Sequence, residues 1–234
     1  MTAVNKKIII LVLLVAVCCG YSGCALAKHK QKPPTAPSDA TAGDFDYFLL
    51  TLSWTPEFCA TEPRERPSAE CAPSKHVGLL VRGFRPQYDD GKWPQDCGST
   101  PSVPSATVKH MMPIMPGNEL IQHEWATHGT CSRLSMQDYF GVIERLYNAL
   151  EVPEEFKKPS NGSHPSNSSH PSPSVIEQKF ALANNAPKRA FRISCPKNQL
   201  SAVEICFSKD LQYQACPTTV KECSASRIRV QPLP

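Results

Sequence analysis

The sequence predicts an α+β protein built around one core, and three observations predict it. Short β-prone apolar runs at residues 48–54, 77–81, 191–195 and 202–207 are interspersed with helix-patterned segments. Hydrophobic residues make up 41% of the 234-residue chain, which is enough for one substantial core and too much for a disordered chain. Eight cysteines remain once an N-terminal leader is set aside, an even set in a chain that reads as exported. Glycine shows no three-residue period and no stretch repeats, which excludes a collagen and a solenoid.

The leader comes first. Lys6 and Lys7 precede the apolar run IIILVLLVAV at residues 8–17, and a small-residue stretch ends in Ala25-Leu26-Ala27. Basic, apolar, then A-x-A is the order of a secretory signal, here residues 1–27. The run is too short for a membrane span, which takes about 20 residues. The chain is therefore expected to be secreted or periplasmic, with no stable membrane span. Cys24 offers the alternative of a lipid anchor, although Tyr21 sits where such signals carry an aliphatic residue. The formal charge is +4, from 25 Lys+Arg against 21 Asp+Glu. Residues 1–27 hold Lys6 and Lys7 and no acid, so 23 cations face 21 acids in the mature chain, a net +2. Such a mild charge permits a nucleic-acid partner without arguing for one.

Residues 28–44 are rich in Lys, Pro, Ala, Thr and Ser and read as a tether, with the folded domain spanning 45–232. The run FLLTLSW suits a buried strand, as does VGLLV at 77–81. Residues 119–130 fit a helix with Gly129 near its stop. In residues 135–150, Tyr139, Val142, Ile143, Leu146, Tyr147 and Leu150 form a helical stripe, and Ser135 with Asp138 fits an N-cap. Residues 159–174, PSNGSHPSNSSHPSPS, read as a low-complexity surface insert with Asn-x-Ser sequons at Asn161 and Asn167. Helical pattern returns at 175–183, and two strands follow at 191–195 and 202–207.

The chemistry is concentrated in Gln122 to Cys131, QHEWATHGTC, which places His123, Glu124 and His128 within six residues. Zinc-binding histidines on a helix stand four apart, on one face. Here they stand five apart, about 140° around an α-helix, and the mature chain has no C-x-x-C pair. No metal and no cofactor are expected. Glu124 and His128 are four apart and can share a face, so that a carboxylate orients an imidazole or both meet one phosphate.

HEWATHGTC resembles the second active-site segment of the ribonuclease T2 family, usually HEWxKHGTC. Residues 79–87, LLVRGFRPQ, align with the family's first segment, usually HGLWP, and lead on to Cys97. LSWTPEFC at 52–59 looks like the family's SWxPxFC strand, and EICFSKDLQYQAC at 204–216 like its late strand. The resemblance runs from about residue 45 to 230. It implies a ribonuclease T2-like α+β fold, a central antiparallel sheet flanked by helices. It also implies four disulfides, Cys59–Cys71, Cys97–Cys131, Cys195–Cys223 and, nested within the last, Cys206–Cys216.

The resemblance further implies an endoribonuclease that cleaves single-stranded RNA without a metal. The 2′-OH attacks the neighbouring phosphorus and leaves a 2′,3′-cyclic phosphate. A base takes the 2′ proton, an acid protonates the leaving oxygen, and a cation steadies the phosphorus-centred charge. By the motif His128 is the base, His123 binds phosphate and Glu124 assists charge stabilisation. Trp125 reads as core. DNA lacks the attacking hydroxyl and is not an expected substrate, and a monomer is expected.

Three positions depart from the family. Arg82 replaces the first-segment histidine, the expected acid; Arg85 replaces the segment's Trp; Thr127 replaces the lysine beside the second histidine. Arginine stays protonated, so Arg82 and Arg85 can bind phosphate but cannot shuttle a proton. Phe84 and Tyr88 are candidates for stacking on a base and fit core packing equally well. His76 lies too far along the chain to replace the acid, and His110, His164 and His170 read as surface histidines. The departures leave two readings: an impaired exported ribonuclease, or a secreted RNA-binding or interaction protein on the same scaffold.

Overall fold

A computed structural model describes residues 41–61, 69–71, 78–157 and 170–233. The expected leader, most of the tether, His76, His164 and both sequons lie outside them. Strand β1 (Tyr47–Trp54) is followed by helix α1 (Thr55–Thr61), a short 3-10 turn (Ala69–Cys71) and β2 (Leu79–Gln87). Then come α2 (Ser105–Met111), α3 (Asn118–His123), α4 (Met136–Ala149) and α5 (Pro173–Ala183), and finally β3 (Phe191–Ser194) and β4 (Ala202–Phe207). The strands form one antiparallel sheet in the order β2-β1-β4-β3.

Alternation along β1 sets the two faces of the sheet. Phe48, Leu50, Leu52 and Trp54 face the main core with Phe84, Val203, Ile205 and Phe191, and that core is completed by Tyr139, Ile143, Ile176 and Phe180 from the helices. The expected stripe on α4 is the face it buries. Ser135 Oγ accepts the Asp138 N–H at 3.1 Å, the expected N-cap, typically worth about 1 kcal/mol. Tyr47, Cys206, Cys216 and Val220 make a smaller cluster elsewhere on the chain.

The four disulfides pair as the resemblance implies. Some boundaries move. Strand β2 continues past the expected residue 81 to Gln87. The tether's last residues belong to the fold, because Gly43 N–H donates to Cys131 O at 2.8 Å. Helix α5 starts at Pro173, inside the expected insert, since a proline at the first helical position loses no needed N–H. At the other end Leu233 is buried.

Candidate active site

Edge strand β2 carries one half of the site. Leu52 pairs with Val81 and Thr51 with Gly83, so Arg82 is the extra residue of a β-bulge, a device that re-aims a side chain. Its guanidinium is held on three sides. Nη2 donates to Glu70 Oε1 at 2.7 Å, Nε donates to Ser53 Oγ at 3.2 Å, and the plane lies 3.9 Å from the Phe58 ring centroid. The Glu70 side chain is only 4% exposed.

The other half comes from the chain after α3. Residues Glu124–His128 wind as a π-helical turn, and Gly129–Ser132 close it in 3-10 geometry. The π-turn overturns the expectation that His123 and His128 point 140° apart. With i→i+5 winding, residues five apart become neighbours. The two rings stand edge to face at 5.7 Å, and ligand atoms of His123, Glu124 and His128 lie within 4.8 Å of one another. Trp125, by contrast, points into the core as expected, donating to Thr100 Oγ1 at 2.8 Å.

Arg85 joins the halves. Its Nη2 donates to Glu124 Oε1 at 2.6 Å, and Nε reaches both carboxylate oxygens at 3.2 Å. Glu124 is fully buried, while the Arg85 side chain stays 37% exposed. Burial opposes the charge on Arg85, but the bonds to Glu124 outweigh it and raise its pKa. Gly83 makes room for this pair: a Cβ there would come within 2.7 Å of both Arg85 Nε and Glu124 Oε2.

His128 is buried, and its Nδ1 has no hydrogen-bond partner among the described residues. Burial first, then the charges of Arg85 and His123, push its pKa down to about 3, with the Pro94 backbone opposing. The ring is therefore neutral through ordinary working pH. His123 is exposed, with Thr127 Oγ1 3.3 Å from its Nδ1. Two imidazoles and a carboxylate are a donor set for a transition metal. Both Glu124 oxygens are already taken by Arg85, so a metal would have to displace a bidentate guanidinium.

One stacking candidate falls away. Phe84 is fully buried, stacked on Phe48 at 4.5 Å, with its carbonyl accepting from Tyr139 Oη. Strand alternation puts it on the core face, opposite Arg85. Tyr88 is partly exposed at the edge of the core, near Asp44, Asp46 and Asp90. Three residues were not singled out from sequence. Glu70 holds Arg82. Glu204, paired with Thr51 next to Gly83, has its carboxyl pKa raised by burial, with Arg85 opposing. Trp93, one residue before Pro94, is 44% exposed and can offer an aromatic face to a base. His110 pairs with Glu144 on the surface at 3.0 Å and His170 is exposed.

The chain is similar to known proteins. The chain is 37% identical to "Ribonuclease" of Aeromonas hydrophila, over 48% of this chain and 49% of that one. It is 33% identical to "Probable ribonuclease" of Haemophilus influenzae, over 47% of this chain and 45% of that one. It thus spans about half the length of these curated relatives. The solved RNase-related protein from Calystegia sepium superposes with a TM-score of 0.62 at 26% identity, over 81% of this chain and 97% of that one. The family match covers residues 45–216, which hold the bulged strand, the π-turn and the loop that joins them, and the chain belongs to the ribonuclease T2 family.

Proposed function

We propose that this protein is an exported ribonuclease that cleaves single-stranded RNA slowly, by metal-free transphosphorylation. One observation carries the reading: the π-turn gathers His123, Glu124 and His128 within 4.8 Å, beside a partly exposed arginine. Neutral His128 takes the 2′ proton. His123 and Arg85 hold the phosphate, and Glu124 keeps Arg85 aimed. The Arg85 guanidinium steadies the charge that builds on phosphorus. Arg82 cannot protonate the leaving oxygen, and Thr127 brings no charge, so water or another weak donor supplies the proton. Loss of one acid–base partner lowers the rate by about 10²–10⁴. The basic–apolar–A-x-A order of residues 1–27 and four disulfides fit an oxidising compartment.

A second reading, RNA binding without turnover, draws on one specific observation: Arg82 is bonded to Glu70 at the place of the family's acid. Cleavage of a single-stranded RNA oligomer, followed with EDTA present and with the product ends identified, separates the two. The proposal expects slow formation of 2′,3′-cyclic phosphate ends that EDTA leaves unchanged and His128→Ala reduces by about 10²-fold or more. Tight RNA binding with no cleavage above the His128→Ala background would decide for the second reading.

A further inference from the structure

We propose that Glu70 is a built-in anion that withholds Arg82 from RNA phosphate and so fixes how many phosphates the site engages. The inference rests on the reading that single-stranded RNA is the ligand. Arginine in a cleft of this family is, by its chemistry, a phosphate binder. Here both cleft arginines hold a buried carboxylate, and they differ in what else encloses them: the Arg82 side chain is 22% exposed against 37% for Arg85. The Glu70 carboxylate is nearly inaccessible, and its 2.7 Å contact is a charge-assisted bond inside the protein. Ser53 Oγ accepts from Nε beside the Nη2–Glu70 bond, and Phe58 lies against the guanidinium, so the Nε–Nη2 edge that would grip a phosphate bidentately is filled.

The cage is closed covalently. Phe58 and Glu70 immediately precede Cys59 and Cys71, which form one disulfide. The bridge keeps ring and carboxylate on Arg82 at high effective concentration, and a phosphate from solution has to compete with an intramolecular ligand. Arg85 differs, because its carboxylate partner leaves more than a third of its side chain open. Arg82 then offers no unpaired charge to the cleft, and RNA is engaged through Arg85 and His123. Glu70 is thus a positioning residue: it touches Arg82 and acts on the ligand only through it.

The test is binding of a labelled oligouridine at a series of salt concentrations. Freeing Arg82 adds one phosphate contact, which steepens the slope of log affinity against log salt by about 0.7 and tightens binding about fivefold at 0.1 M salt. Glu70→Gln should show that gain, Glu70→Asp should keep the wild-type slope, and Glu70→Gln combined with Arg82→Gln should lose the gain. An unchanged slope in Glu70→Gln while the wild type binds overturns the proposal alone. Absence of binding in the wild type and every variant fails the RNA reading as well. A measurement on the unaltered protein guards against a misfolded variant. In a nitrogen-15 NMR titration with the same oligomer, the Arg85 Nε–H signal should move and the Arg82 Nε–H signal should stay. Equal movement of both would overturn the proposal.

Discussion

Arg82 and Arg85 stand three residues apart on one edge strand, and each is paired with a buried glutamate. Their surroundings make them different groups. Arg82 occupies a bulge under a disulfide-closed cage of Phe58 and Glu70, and its Nε–Nη2 edge is bonded inside the protein. Arg85 braces the π-turn through Glu124 and keeps a solvent-facing side. The difference teaches that one half of the site has become a structural ion pair. The other half gathers two imidazoles beside a partly exposed cation.

The comparison can be broken from the second half first. A folded-state His128 pKa of about 3, against an unfolded value near 6.5, means that the unfolded chain binds the extra proton between those values. The contribution is fully present above about pH 6.5 and is lost as the pH falls to about 3, roughly 5 kcal/mol in all. Urea unfolding at pH 7, 5 and 4 should show a steeper acid loss in the wild type than in His128→Gln. Parallel losses would remove the buried neutral imidazole from the account.

Arg85→Ala comes next. It leaves the Glu124 carboxylate buried without its cation, a change that costs about 3–5 kcal/mol in a dry site. Discounted for the exposed side of Arg85, about 2 kcal/mol is expected, read as a lower denaturation midpoint. Arg82→Ala gives no such reading of the π-turn, because Glu124 is not its partner. The smallest effect is Gly83→Ala. The new methyl meets only the flexible ends of Arg85 and Glu124, so the pair shifts rather than the strand, at about 1 kcal/mol. A loss several times larger would mean that the sheet itself cannot accommodate the change.

Much of this was legible in the sequence. The stripe from Tyr139 to Leu150, the Ser135 cap and the cysteine set follow from local periodicity, capping chemistry and family spacing, and the structure reproduces each. The segment QHEWATHGTC stood out because its residue types are rare together. Its winding did not, since counting at 3.6 residues per turn assumes an α-helix, and a π-turn breaks that count while leaving the composition unchanged. Glu70 was invisible because an isolated acid in an irregular stretch carries no pattern, and its neighbour Cys71 is tied by a disulfide to Cys59, beside the ring that lies against Arg82. Phe84 was ambiguous for a related reason. Whether an aromatic faces core or cleft depends on strand register, and the bulge at Arg82 shifts that register by one residue.

The central claim is that the site keeps its base half and has exchanged its acid half for an ion pair. Restoring the acid tests it most directly. Initial rates of single-stranded RNA cleavage should be measured for Arg82→His beside the wild type, at the same salt and pH. The account predicts a gain of about 10²-fold or more in the variant, since one titratable imidazole returns to the leaving-group side. Equal rates, with both proteins binding RNA, would contradict it.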